Sequence, residues 1–166
     1  MRFLFLDLDG VLVTKKHLLG LDAQGKDMAG ADGHHQFDPE CLSNLKRILD
    51  TVPDTIVILS SAWRIFGFER MRQLWADRNC PGTISGFTPE VTSGNRGQEI
   101  DMFLNRFEGM IESFVILDDN IHDFTNDQLL HTVKTTWENG LTSEAADEAI
   151  QLLSLEKPLK MAQNGQ

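Results

Sequence analysis

Asp7 and Asp9, two residues apart, close an apolar run at the start of the chain, and Asp118-Asp119 closes another far downstream. Residues two apart in extended backbone point to the same side, so Asp7 and Asp9 are expected to present neighbouring carboxylates to one pocket. Bringing Asp118 and Asp119 to the same place gathers like charges at short range, which is costly unless a cation relieves it. Ligands that are all oxygen favour Mg²⁺, which is held by few carboxylates together with water and substrate phosphate. Ser60 ends a third apolar run, and Arg96 opens the helical stretch that precedes Asp118. A hydroxyl and a guanidinium aimed at one site suit a phosphoryl group, whose equatorial oxygens carry charge in the transition state. The set therefore reads as phosphoryl transfer. One aspartate acts as nucleophile and forms an aspartyl-phosphate, while the other is general acid to the leaving oxygen and then base to water. Ser61 and Arg64, directly after Ser60, are added as candidate phosphate ligands, Arg64 having as its rival role a stem laid over Trp63 and the surface.

These residues need elements to hold them. Arg2 to Leu6 with Leu8 and Val11 to Val13 reads as a buried strand. Lys15 to Phe37 carries glycines and little periodicity and is expected to be a flap or binding loop. Asp38-Pro39 starts a helix, with Leu42, Leu45, Leu49 and Val52 on one face. Thr55 to Leu59 is a second strand, followed by a helix marked by Phe68, Met71, Leu74 and Trp75. A short strand is expected at Thr83 to Phe87, a helix from about Gly97, and strands at Ser113 to Leu117 and Leu130 to Thr135, with His131 in the last. Thr142 or Ser143 caps a final helix with Ala146, Ala149, Ile150 and Leu153 inward, and Pro158 ends the fold. Strands alternating with helices imply a mainly parallel sheet in a three-layer α/β/α, Rossmann-like arrangement. Ligands of such sheets bind beyond the carboxyl ends of the strands, where Asp7, Asp9, Ser60, Asp118 and Asp119 fall. One domain over residues 1–158 is expected, with 14–37 as the flap and 159–166 as a tail.

Asp7-Leu8-Asp9-Gly10-Val11-Leu12 resembles the first motif of the haloacid dehalogenase (HAD) superfamily of phosphohydrolases. Ile58-Leu59-Ser60 resembles the second, Arg96 stands where the third usually has lysine, and Leu117-Asp118-Asp119 resembles the acidic fourth. Ser61-Ala62-Trp63-Arg64, Arg96 to Leu104 and Gly140-Leu141-Thr142 are closest to the branch associated with Swiss-army-knife RNA repair proteins. The resemblance implies Asp7 as nucleophile, Asp9 as acid/base, and Ser60 and Arg96 as phosphate ligands. It also implies Mg²⁺ held by Asp7, the Asp9 carbonyl and Asp118, with Asp119 or Asp123 as the further acid. Arginine in place of lysine suggests a bidentate clamp in place of a point charge. The segments after the first motif and between the second and third are too short for a separate cap domain. An open site favours a bulky phosphorylated substrate such as a nucleic-acid end or a protein, or else a lid supplied by another subunit, and a phosphorylated small molecule is the other substrate expected. The rival reading is a non-catalytic Mg²⁺- or phosphate-binding module in an RNA repair complex.

Of the 166 residues 41% are apolar, which excludes intrinsic disorder, and no run approaches the ~20 residues of a membrane span. The formal charge of −10 disfavours non-specific binding to polyphosphate backbones. The flap residues Lys15, Lys16, His17, His34 and His35 are the local exception that can meet substrate phosphates. Two cysteines, Cys41 and Cys80, are too few for a disulfide framework and read as core thiols of a cytoplasmic protein. Gly20-Leu21-Asp22-Ala23-Gln24-Gly25-Lys26 spells most of a phosphate-binding P-loop, but Asp27 replaces the required hydroxyl residue and removes the kinase reading.

Overall fold

The computed structural model describes residues 1–155. Five strands form one parallel sheet: β1 (Arg2–Leu6), β2 (Thr55–Leu59), β3 (Ile84–Phe87), β4 (Ser113–Asp118) and β5 (Thr132–Lys134). Their order across the sheet is β3-β2-β1-β4-β5, so the chain builds outward from β1 in one direction and then returns to build in the other. The switch point falls between β1 and β4, whose carboxyl ends carry Asp7 and Asp118.

Six α-helices accompany the strands: α1 (Lys15–Ala23), α2 (Pro39–Thr51), α3 (Phe68–Asp77), α4 (Arg96–Asn105), α5 (Asn126–Leu129) and α6 (Ser143–Ser154). The sheet is buried on both faces, which is why its strands read as unbroken apolar runs. Leu4, Leu6, Val57, Leu59, Val115 and Leu117 pack against α2, α3 and α6 through Leu45, Ile48, Met71, Trp75, Ala149 and Leu153. The alternate residues Phe3, Phe5, Ile58 and Ile116 pack against Ile100 and Phe103 of α4. The two faces give the three layers expected. Among the described residues no large cap interrupts the sheet.

Asp38 caps α2 with Pro39 at its first turn, and Thr142 caps α6, as their sequences predict. Two elements differ from expectation. Residues 14–37 are not wholly a flap, because Thr14 accepts from the His17 N–H and starts helix α1, of which only Leu18 and Leu21 are buried. An apolar stripe that narrow leaves almost no periodic signal. His131 precedes β5, with its N–H bonded to the Gln128 carbonyl. The expected end of the fold at Pro158 and the tail 159–166 lie outside the described residues.

The remainder of the flap is pinned down. Arg78, just past α3, donates to both Asp32 oxygens at 2.8 and 2.7 Å and to the carbonyls of His34 and His35. Its guanidinium lies 4.4 Å from the Phe37 ring centroid. Lys15 and Lys16 are paired with Glu138 and Glu40, so their charges are balanced locally. Burial raises both cysteine thiols to about 12, as core thiols require.

Candidate active site

Strand register assembles the site. Leu6 pairs with Leu59 on one side and Leu117 on the other, so the next residues of the three strands, Ser60, Asp7 and Asp118, stand in a row. The backbone confirms the alignment: Ser60 donates its N–H to the Leu6 carbonyl at 2.9 Å and Asp7 to the Leu117 carbonyl at 3.0 Å. By alternation these three follow Phe5, Ile58 and Ile116, the residues that face α4. Arg96, the first residue of α4, meets them there. Its Nη1 donates to Asp118 Oδ2 at 2.8 Å and to the Ser60 carbonyl at 2.9 Å, and pairs with Asp7 Oδ2 at 3.0 Å.

Carboxylate oxygens of Asp7, Asp118 and Asp119 lie within 4.8 Å of one another. Burial drives the Asp118 pKa up to about 7, with the Asp7 charge adding to the rise and Arg96 opposing it. Asp119 is raised by the same two causes, burial first and Asp7 second. Burial works against the Arg96 charge, but Asp7 and Asp118 outweigh it and hold the guanidinium protonated. Three crowded carboxylates are the donor set a hard divalent cation takes. Gly10 makes the crowding possible: it sits at φ +73°, and a Cβ there would lie 2.3 Å from Asp119 Oδ2. The Ser60 hydroxyl oxygen is buried and makes no hydrogen bond, a donor kept without a protein partner beside the acids. Such a group calls for a ligand.

Asp9 takes a different place from the one its spacing suggested. The strand stops at Leu6 and the chain turns, with Leu12 and Val13 donating back to the Leu8 carbonyl. The Asp9 carboxylate is thereby directed to Trp63, whose indole N–H donates to its Oδ2 at 2.9 Å. Its side chain is outside the three-carboxylate cluster. Asp123 is also apart, its Oδ2 accepting from the Arg96 backbone N–H at 3.4 Å at the start of α4. The structure thus groups Asp119, and not Asp123, with the first acid.

Ser61 is buried and caps the 3-10 turn at 62–66, its hydroxyl accepting from the Trp63 N–H. Arg64 departs from the phosphate-ligand expectation. Its two terminal nitrogens each donate to a Glu99 oxygen at 2.7 Å, and Nη1 also reaches the Thr88 hydroxyl. A guanidinium fork closed on a buried carboxylate offers its best geometry to that partner and not to a substrate. Arg64 and Glu99 instead fasten the turn after β2 to α4, the helix that carries Arg96. Sequence reasoning missed Glu99 and the Trp63 contact, since nothing in residue type marks partners 35 and 54 positions apart. Gln128, also unforeseen, donates to the Gly97 carbonyl and the Asp101 carboxylate and so braces α4.

A three-layer fold around a parallel sheet, with acids at its switch point and a cation opening the helix that leads into β4, is the arrangement of a HAD-type domain. Residues 3–146 match the family described as the HAD domain in Swiss Army Knife RNA repair proteins, and the chain belongs to that family. No curated protein and no solved structure matches the chain. No helix among the described residues is long and apolar enough to cross a membrane.

Proposed function

We propose that the protein is a Mg²⁺-dependent phosphohydrolase that cleaves a phosphomonoester through an aspartyl-phosphate on Asp7. The observation that carries this reading is the cradle itself: three carboxylates, one guanidinium and an unpartnered serine hydroxyl brought together from four separate segments. Asp7, Asp118 and Asp119 would hold the cation, together with the Asp9 main-chain carbonyl that the family resemblance adds. When bound, Mg²⁺ offsets the charge of the acids and of the phosphoryl oxygens.

Ser60 and Arg96 bind the phosphoryl oxygens, replacing contacts that Arg96 otherwise makes to the acids. An Asp7 oxygen bonds to phosphorus as the ester bond to the leaving oxygen breaks, and the Asp9 carboxyl gives that oxygen its proton. The Asp9 carboxylate then takes a proton from water, whose oxygen attacks phosphorus and releases Asp7 and inorganic phosphate. Trp63 holds the Asp9 carboxylate in place for both transfers. The family's association with RNA repair supports a role there; phosphorylated nucleic-acid ends or nucleotides as substrates, partner proteins in a repair complex and a cytoplasmic site of action belong to the same reading.

One feature favours the rival reading, a non-catalytic Mg²⁺- or phosphate-binding module. Both Asp7 oxygens are engaged, Oδ1 by the Leu8 N–H at 2.8 Å and Oδ2 by Arg96. A phosphomonoester panel with Mg²⁺ separates the two. Turnover by the wild type and none by Asp7→Asn supports hydrolysis, whereas binding without turnover across the panel supports the module.

A further inference from the structure

An open cleft of about 630 Å³ borders Asp9, and none of the three clustered acids lines it. Its walls include His34, Trp63, Ile65, Phe66 and Trp137. Folding leaves three of these large side chains in water, Ile65 at 80% exposure and Phe66 and Trp137 at 39% each. Large apolar groups gathered at one mouth beside a polar site mark a binding surface. The walls are also preformed. The His34 ring lies 4.3 Å from Phe66 and 5.2 Å from Trp63 between centroids, and Arg78 ties the backbone carbonyls of His34 and His35 to α3. His34 Nε2 is buried and without a hydrogen-bond partner.

We infer that this cleft is the leaving-group subsite and takes the planar base of a phosphorylated nucleoside, an assignment that rests on the hydrolase reading above. In an in-line displacement the attacking and leaving oxygens lie on opposite sides of phosphorus, and the acid must reach the leaving oxygen. With Asp7 attacking and Asp9 protonating, the body of the leaving group extends into the space that Asp9 borders, which is this cleft. Its chemistry selects a flat, aromatic occupant. The exposed rings of Phe66 and Trp137 offer faces for stacking, with the buried Trp63 indole forming the floor behind them, while polar lining groups are too few to satisfy the hydroxyls of a bare sugar. Trp63 joins the two functions, since the indole that forms the wall also donates to the acid.

Calorimetric titration of the full chain with Mg²⁺, using AMP and ribose 5-phosphate as probes, tests the subsite without requiring turnover. AMP is expected to bind at least ~10-fold more tightly than ribose 5-phosphate, the scale of one base stacked on aromatic side chains. Phe66→Ala and Trp137→Ala, both at half-exposed positions, are each expected to shrink that ratio by ~5-fold or more. A ratio near one in the wild type, or a wild-type ratio kept in both variants, overturns the subsite. A ratio that behaves as expected in a protein that hydrolyses nothing supports the subsite and removes the hydrolase. An oligonucleotide with a terminal phosphate binding more tightly than AMP identifies a nucleic-acid end as the source of the base. Binding no tighter than AMP identifies the free nucleotide, as the charge of −10 favours. Both results keep the cleft as the base-binding site.

Discussion

The indole N–H of Trp63 donates to the Asp9 carboxylate across 2.9 Å, joining the turn after β2 to the loop after β1. Trp63 is itself clamped by ring contacts with His34, Phe37 and Phe66. A hydrogen bond to a charged acceptor contributes about 1.5–3 kcal/mol, and here it fixes where the Asp9 carboxylate points. Trp63→Phe keeps an aromatic ring and loses the donor. Steady-state kinetics on the best phosphomonoester should show kcat lowered ~10-fold or more with KM little changed. An equal loss in both parameters, or none, would assign the indole to packing alone.

Arg64 and Glu99 form a buried, bidentate pair, with Glu99 1% exposed. Removing one partner of such a pair strands a charge and costs about 3–5 kcal/mol. Arg64→Met and Glu99→Leu should each destabilise the fold by that order in urea titrations, and the double variant should recover most of the loss. Additive losses in the double variant would mean that the two residues act independently.

Asp118 makes stability depend on pH in a stated direction. Its pKa is raised by burial to about 7, so the folded protein retains a proton that the unfolded chain releases near ~4. The stability it contributes is fully present below the unfolded value and is lost as pH rises through 7. Asp118→Asn cannot ionise. Without metal, the variant should melt above the wild type at pH 8, by on the order of 2 kcal/mol, with the gap closing as pH falls to about 4. Mg²⁺ at pH 8 should raise the wild-type melting temperature and leave that of the variant nearly unchanged. A gap independent of pH would remove Asp118 as its source.

Much of this site is legible in the sequence because it depends on strand ends. Apolar runs fix where β1, β2 and β4 stop, and parallel register then aligns Asp7, Ser60 and Asp118 with no further information. Arg96 follows the same logic, since the helix it opens lies on the face toward which those residues alternate. Asp9 is different: whether two aspartates share a side depends on where the strand ends, and the turn after Leu6 sends Asp9 to Trp63. Arg64 shows the other limit. Its charge invites a substrate role, but its partner Glu99 is recognisable only once α4 has packed against the sheet. Helix α1 was hidden for an energetic reason, because two buried leucines are enough when Thr14 supplies the cap.

The central claim is a covalent bond from phosphorus to Asp7. Acid quenching during turnover of a labelled phosphomonoester with Mg²⁺, followed by peptide mapping, reads it directly. The label is predicted on the peptide containing Asp7 in the wild type and on no peptide of Asp7→Asn, which should also be inactive. Sustained hydrolysis with an unlabelled Asp7 peptide and undiminished activity in Asp7→Asn would contradict the account.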